Sequence, residues 1–387
     1  MSKEEYFSFL METKVIYGIG SAEQLGNIVA QKKAKRVMII ADSGVKKAGL
    51  VEKIQNILYT SHIESGLFED IEISSSTDTV DKGATLVKQE NYDLIVGIGG
   101  GSSIDTAKAI GVVVTNGGKC IDYAGNNKVK NPSMEVIALP TTAGTSAEIT
   151  DVAVIADRKS KARIGIRSPY VVPSIAILDP LLTLTMPPHI TASTGMDALS
   201  HAIESYTNTY TKAPTEVLAL EAIRKIGANL CHAVANGNNL EARDNMLMGN
   251  LLAGLAFRNT RLGILHAITG PFCGYYEVPH GVANSVLLPY IMEYNLKGNF
   301  DKFVHIASAL GISVSRLSRR EAALASITAV RELLADIGLP LSFKEMNLDP
   351  KFIPEIASKA IKSANITINP RVPTVEDLID ICEKSFQ

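Results

Sequence analysis

Tryptophan is missing from this 387-residue chain, and cysteine is scarce: Cys120, Cys231, Cys273 and Cys382 lie far apart, with no C-x-x-C among them. That spacing excludes a disulfide framework and a thiolate metal centre, and it fits a reducing compartment. No run approaches the roughly 20 apolar residues that a membrane-spanning helix needs. Charge of one sign is also missing, since 38 Lys and Arg stand against 40 Asp and Glu, a net of −2. A basic face for nucleic acid and a patch for anionic membrane are thereby excluded. The opening MSKEEYFSFLMETK has acids where a secretory leader has its basic region, and its apolar run is short. These absences together predict a cytoplasmic protein. No internal repeat, low-complexity tract or long linker is present either.

What is present is a large apolar fraction, 46% of the residues, enough to fill the cores of two domains. The first half alternates short β-prone runs with helical ones. Val37–Ile40, Asp93–Ile98 and Val136–Leu139 read as strands, each closed by glycine or proline. Val51–Tyr59 and Val80–Glu90 read as amphipathic helices. Such alternation predicts a parallel sheet covered on both faces. Ser21-Ala22-Glu23-Gln24 has the spacing of a capping box and predicts a helix start there. After Asp179-Pro180 the texture becomes helical, and from about Thr191 little reads as strand. The domain boundary is therefore placed near Leu182, giving an α/β domain over 1–182 and an all-helical domain over 183–387.

The turn Gly99-Gly100-Gly101-Ser102 follows a strand and opens a helix. Missing Cβ atoms allow close backbone approach, and a helix start offers unpaired N–H groups to an anion. The pattern is GGGSxxD rather than GxGxxG, so it is either a diphosphate cradle of another kind or a tight turn packing a helix on a sheet. Thr141, Thr142, Thr145 and Ser146 crowd hydroxyls after the third strand. They can bond phosphate or ribose oxygens, or simply cap a helical turn with Glu148 close behind. Asp42 lies just past the first strand, where an acid can accept ribose hydroxyls and repel a 2′-phosphate, favouring NAD over NADP. It is equally a residue that turns use.

In Gly195-Met196-Asp197-Ala198-Leu199-Ser200-His201, the acid and the imidazole are four apart on one helix face. His266 and His280 follow. A carboxylate and three imidazoles without sulfur suit Fe(II), Zn(II) or a neighbouring divalent ion. Spacing alone leaves Asp197 and His201 equally readable as a salt-bridged surface pair.

Four segments bring these residues together in order: GGGSSIDTAKAIG (99–111), PTTAGTSAEIT (140–150), GMDALSHAIESY (195–206) and HAITGPFCGYYEVPHGVANSVLLPY (266–290). With them the chain resembles the iron-containing alcohol dehydrogenase family, from Val15 to the NPR at Asn369–Arg371. The resemblance implies an N-terminal Rossmann-type α/β domain and an all-α C-terminal domain, an architecture shared with dehydroquinate synthase. It implies metal ligands at Asp197, His201, His266 and His280. Cofactor contacts are implied at Asp42, Gly100, Gly101, Ser102, Thr141, Thr142, Thr145, Thr150 and Leu182. A family lysine near the cofactor falls on Arg163, with Lys161 close by, so either can serve. The implied cofactors are NAD and Fe(II), with Zn(II) as the substitute. By that resemblance the metal would supply Lewis acidity to the substrate oxygen, and the cofactor the hydride chemistry at the adjacent carbon. Family members are often homo-oligomers, so a dimer or larger assembly is implied, with a small aldehyde or alcohol as the only other partner.

The sequence departs from the family twice. The family usually has HxxxH beginning at His266, and here the second position is Gly270; either a proton relay is rerouted through water or the cofactor ribose, or the site is enlarged for a different substrate, or the change is tolerated. Arg258 and Arg261 stand where small or neutral residues are common. Arg261 is one turn after Phe257, whose family counterpart lines the substrate pocket, together with places that fall on Val152, Val154 and Asn365. The two arginines either bind an anionic tail on a short aldehyde (carboxylate, sulfonate or phosphonate) or are solvated or internally paired. Two other functions fit the same architecture: a dehydroquinate-synthase-like lyase that recycles its NAD, and a scaffold that keeps the fold without turnover.

Overall fold

The computed structural model describes residues 7–72, 75–159 and 162–387. Residues 1–6, part of the opening read for a leader, and Lys161 lie outside the described residues. The chain divides into two compact units, Met11–Met186 and Pro187–Gln387, the latter joined by the described residues up to Leu10. The sequence-based division near Leu182 lies within a few residues of this one, and the described residues up to Leu10 fall on its other side. Leu10 belongs with the helical unit because the Asn259 side chain accepts from its N–H at 2.7 Å and donates to its carbonyl at 3.2 Å.

Among the described residues the first unit is built on nine strands: β1 (Lys14–Tyr17), β2 (Arg36–Ile40), β3 (Glu64–Phe68), β4 (Leu94–Gly99), β5 (Gly125–Asn126), β6 (Val136–Pro140), β7 (Val152–Asp157), β8 (Ala162–Arg167) and β9 (Ile175–Leu178). Six of them form a sheet in the order β1-β9-β6-β4-β2-β3, parallel throughout. Its helices are α1 (Leu25–Gln31), α2 (Ser43–Lys47), α3 (Leu50–Thr60), α4 (Thr77–Gln89) and α5 (Gly101–Asn116).

Alternation along β2 shows why the sequence folds this way. Val37 and Ile39 enter one core with Leu25, Ile54 and Leu58, while Met38 and Ile40 enter a second with Val80 and Ile110. A strand covered by helices on both faces has no position to spare for a polar side chain, hence its unbroken apolar run. The three β-prone runs become β2, β4 and β6, and the two amphipathic runs become α3 and α4. The capping box at Ser21 does not form. A 3-10 turn does begin there, but the Gly20 and Ala22 N–H groups go to the buried Asp179 carboxylate at 2.9 and 3.2 Å. A small second sheet, β5-β8-β7, pairs β7 with β8 antiparallel.

The second unit has no strand among its described residues. Its helices are α6 (Pro188–Thr207), α7 (Ala213–Ala235), α8 (Leu240–Thr260), α9 (Ile264–Tyr276), α10 (His280–Leu296), α11 (Phe300–Ala309), α12 (Arg319–Asp336), α13 (Ile353–Ala360) and α14 (Val375–Lys384). α6 is buried along most of its length and packs on α7, α8 and α10. A helix buried all round carries its polar residues only where they find partners. No helix of the described residues is long and apolar enough to cross a membrane.

Candidate nucleotide cradle and metal site

At the carboxyl ends of β2, β4 and β6, three adjacent strands deliver Asp42, Gly99–Gly101 and Thr141 to one edge of the sheet. The strand order reverses around β2 and β4, where open α/β sheets hold their ligands. The glycines do more than admit a ligand. Gly99 has φ +143°, and a Cβ there would stand 2.5 Å from Ser103 Oγ. A Cβ on Gly101 would meet Thr145 Cγ2 at 2.9 Å, and one on Gly100 would meet Thr142 Cγ2 at 3.2 Å. The glycine turn and the threonine loop are therefore pressed together, tied by Thr141 N–H to the Gly99 carbonyl at 2.9 Å. Gly100 is the N-cap of α5 and has no side chain with which to cap the first turn of that helix. This is the geometry that an anionic group occupies.

Asp42 is only partly available. Its Oδ1 accepts from Gly44 and Val45 N–H at 2.9 and 3.1 Å, capping α2, and its Oδ2 accepts from Ser103 Oγ at 2.9 Å. With roughly four acceptor positions on a carboxylate, three are filled by the chain itself. Ser103 was not singled out from the sequence, although its place on the first turn of α5 was readable. Ser146 does not cap its turn through its side chain: it has φ +50°, and Thr145 Oγ1 accepts from Ala147 N–H at 3.3 Å instead. Ser102, Thr142 and Thr145 are half-buried, and Thr141 is 7% exposed.

Two of the implied cofactor contacts lie in the interior. Leu182 packs in the core with Ile177, and Thr150 is held by the wholly buried Lys108, whose Nζ reaches its Oγ1 at 3.1 Å. Lys108 also donates to the carbonyls of Ala147 and Val152 at 2.9 and 2.5 Å and to Asp105 at 3.2 Å. Burial pushes the Lys108 ammonium down and the Asp105 carboxyl up. The pair locks α5 to the threonine loop and to β7. Arg163 lies on β8, and Val152 and Val154 lie half-buried on one face of β7.

In the helical unit, α6 supplies Asp197 and His201 one turn apart, α9 supplies His266, and α10 begins with His280. The Nε2 atoms of His201, His266 and His280 stand 3.8, 3.8 and 3.9 Å from the single oxygen Oδ1 of Asp197. Asp197, His201 and His266 are nearly sealed from water, their side chains 4%, 6% and 9% exposed, whereas His280 is 28% exposed. The reading of Asp197 and His201 as a surface pair is excluded by that burial. One donor atom from each of Asp197, His201 and His266 lies within 4.8 Å of the others, as a shared metal ion requires.

Two residues not assigned from the sequence complete the arrangement. Glu204, buried one turn after His201, accepts from Leu265 N–H at 2.7 Å and faces His266 Nδ1 at 2.7 Å. A carboxylate on Nδ1 fixes the ring so that its Nε2 points at the common centre. Asn284, one turn after His280, lies with its amide nitrogen 2.6 Å from Asp197 Oδ1. Both stood inside the family-like segments, and the i, i+4 and i, i+7 spacing on α6 and α10 was the signal that could have found them. Burial alone would push the Asp197 carboxyl up, but the three imidazoles hold it well below the carboxylate range. Burial pulls His266 down, yet Asp197 and Glu204 together lift it to about 9. One carboxylate and three imidazole nitrogens facing one point are a donor set suited to a divalent ion.

Phe257, at the end of α8, packs on His201 with ring centroids 4.5 Å apart. Arg258 next to it is half-buried. Arg261 is exposed, with φ +65° and ψ −173°, a conformation that glycine adopts readily and arginine does not. Its carbonyl and that of Thr260 are gripped by Asn208 Nδ2 at 3.0 and 3.4 Å. Asn365 sits in the 3-10 turn Ala364–Ile368, which packs on α9. Around Gly270 there is open space where a Cβ would stand.

A parallel sheet with a glycine turn at its switch point and a helical unit that converges one carboxylate and three imidazoles together point to a metal-assisted oxidoreductase class. Residues 12–180 match the family described as iron-containing alcohol dehydrogenase, and residues 191–386 match its C-terminal part. The chain belongs to the iron-containing alcohol dehydrogenase family. It is 37% identical to the NAD-dependent methanol dehydrogenase of Bacillus methanolicus, over 98% of this chain and 100% of that one. It is 33% identical to the sulfoacetaldehyde reductase of Bilophila wadsworthia, over 97% of each. A crystal structure of a 1,3-propanediol oxidoreductase superposes with a TM-score of 0.96 at 36% identity, covering 99% of this chain and 100% of the other.

Proposed function

We propose that this protein is an NAD(H)-dependent alcohol dehydrogenase and aldehyde reductase acting on short aldehydes or primary alcohols, holding one Fe(II) or Zn(II) through Asp197, His201, His266 and His280. The observation that carries the reading is the convergence of three imidazole Nε2 atoms on one carboxylate oxygen at 3.8–3.9 Å. When bound, the ion supplies Lewis acidity to the substrate oxygen, a contribution of several kcal/mol to charge stabilisation. The residues of the chain do the rest. Glu204 keeps His266 in the ligating tautomer, Phe257 covers the face of His201, and burial keeps water from the donors. The first N–H groups of α5, with Ser102, Thr142 and Thr145 around them, receive the cofactor phosphates, and Asp42 meets the adenosine ribose with its remaining acceptor position. Gly100, Gly101 and Thr141 shape that loop, while Thr150 and Leu182 support it from below. Arg163 reaches the cofactor from β8.

The substrate side rests on Phe257, Val152, Val154 and Asn365 as lining, with Arg258 and Arg261 as receivers of an anionic tail. A relative named for sulfoacetaldehyde supports that class of tail, and so do two cations within one turn of Phe257. The four cysteines form no disulfide, in keeping with a cytoplasmic setting, and the protein works as a homo-oligomer, as family members often do. A panel of charged and neutral aldehydes with NADH and NADPH, on protein reconstituted with Fe(II) or Zn(II), tests the reading. Stoichiometric NADH oxidation with at least one short aldehyde is expected. Binding of cofactor without turnover across the panel would leave only the scaffold, and turnover with the cofactor recycled would indicate a lyase.

A further inference from the structure

The helix that carries His266 starts without a cap of its own. Gly263 is the N-cap of α9 and has no side chain to offer the first N–H groups. Two side chains from distant parts of the chain take that role. Glu204 on α6 accepts from Leu265 N–H at 2.7 Å, and Asn369 Oδ1 accepts from Ile264 N–H at 3.4 Å. Asn369 is 2% exposed, and all four positions of its amide are used. Nδ2 donates to the Arg371 carbonyl at 2.6 Å and to Asn295 Oδ1 at 2.7 Å, while Oδ1 also accepts from Asn295 Nδ2 at 3.3 Å. The way round is settled by partners that can play one part only: the Arg371 carbonyl accepts and the Ile264 N–H donates. Gly263 is closed in by the same two acceptors. A Cβ there would stand 2.7 Å from Glu204 Oε1 and 2.9 Å from Asn369 Oδ1.

Resting on the metal reading above, we propose that Asn369 is a positioning residue of the metal site. It sets the start of α9, and through it His266, while none of its own hydrogen bonds goes to a ligand. Its surroundings reach every helix that carries a ligand. Asn295 lies in the last turn of α10, the helix that His280 opens. Arg371 lays its guanidinium over the Tyr294 ring at 3.8 Å, on the same turn. The Ile368 carbonyl accepts from the N–H and the hydroxyl of Thr209, just past the end of α6, at 2.9 and 3.2 Å. The short stretch 368–371 therefore ties α6, α9 and α10 to one another. His266 is only the third residue of α9, so a shift of the helix start reaches its ring almost undiminished. Donor distances at a metal site hold to about 0.2 Å, and a small shift is enough to be felt. Removing the Asn369 amide would leave the Ile264 N–H, the Arg371 carbonyl and Asn295 without their buried partner, which forces such a shift.

The test compares the full-length protein with Asn369→Ala, Gly263→Ala and Ser318→Ala. Zn(II) affinity is read by competition with a chromophoric chelator, and ligand geometry by the d–d absorption of the Co(II)-substituted protein. Circular dichroism confirms folding. Asn369→Ala is expected to bind Zn(II) about tenfold more weakly, the low end of the range for groups behind a metal ligand, and to change the Co(II) spectrum. Gly263→Ala keeps every hydrogen-bonding group and is expected to do the same, because its methyl pushes the two acceptors off the helix start. Ser318→Ala removes the cap of α12, where Ser318 Oγ accepts from Glu321 N–H at 3.3 Å. It should lower Tm and leave both metal readouts at their wild-type values. A folded Asn369→Ala with wild-type affinity and spectrum would overturn the proposal; if that variant does not fold, Gly263→Ala decides by the same two readouts. An equal loss of affinity in Ser318→Ala would overturn it as well, since metal binding would then follow stability alone. Failure of the wild-type chain to bind any ion would instead overturn the metal reading itself.

Discussion

In the cradle of the first unit side chains are taken away so that two loops can meet, whereas in the helical unit side chains are crowded in until a carboxylate and two of the three imidazoles are nearly sealed from water. Gly100 and Gly101 are required by the chain's own Thr142 and Thr145, so the cradle is a packing solution before it is a binding site. The anion affinity proposed for it would come from backbone N–H groups, which any sequence of the right conformation supplies. The metal centre depends on particular atoms and on what stands behind them: Glu204 behind His266, Asn284 between the donors, Phe257 against His201. Changes in the cradle should therefore act through shape and be partly absorbed, while changes behind the metal ligands should act through charge and be felt sharply.

The sharpest break of that comparison is Glu204→Gln, which keeps the size and removes the charge. Glutamine can still accept from Leu265 N–H, but it no longer fixes and charges His266. Metal affinity should fall about 10–100-fold, with cofactor affinity unchanged. Chelator competition and NADH fluorescence titration on the same preparation check both halves. An unchanged metal affinity would show that the tautomer of His266 is set by the ion alone. On the cradle side, Gly101→Ala puts a Cβ 2.9 Å from Thr145 Cγ2 and should cost about 1–3 kcal/mol of stability, as overpacking does. It should weaken NADH binding roughly tenfold, about 1.4 kcal/mol. Metal content by elemental analysis should stay at the wild-type value.

The two regions were unequally legible in the sequence. Strands β2, β4 and β6 could be read because burial on both faces forces unbroken apolar runs, and the glycine turn because a helix start after a strand leaves few alternatives. The metal ligands could be named only through the family-like order of segments, since nothing in the interval between His201 and His266 says that α6 and α9 touch. Glu204 and Asn284 were passed over because a buried polar residue on an apolar helix carries no sign of which neighbour satisfies it. The cap expected from Ser21 failed for a similar reason: Asp179, far along the chain, takes the neighbouring Gly20 and Ala22 N–H groups, and the Ser21 N–H goes to the Gly18 carbonyl. Tertiary partners overrode a local motif, and no window of a few residues can contain them.

Asp42 joins the two kinds of design, being a cap and a charge at once. Asp42→Asn preserves the acceptor for Gly44 and Val45 N–H, so Tm should move little. Removing the charge should improve the kcat/KM ratio of NADPH to NADH by about tenfold, the equivalent of roughly 1.4 kcal/mol. A ratio that stays put would mean that the three bonds to α2 and Ser103 exhaust the carboxylate, and that the cofactor never meets it.

The smallest effect belongs to Arg261, where the strain of the backbone and the role of the side chain can be separated. Replacement by glycine relieves φ +65° and removes the guanidinium; replacement by alanine removes the guanidinium alone. If the cation receives an anionic tail, both variants should raise KM for a sulfonated or carboxylated aldehyde about 3–10-fold, near 1 kcal/mol for an exposed pair. KM for a neutral aldehyde of similar length should stay constant. The glycine variant should in addition be more stable than the alanine variant by about 1 kcal/mol or more. Equal changes for charged and neutral aldehydes would remove Arg261 from substrate recognition. The strained turn would then serve only to set Phe257 at the end of α8 and His266 at the start of α9.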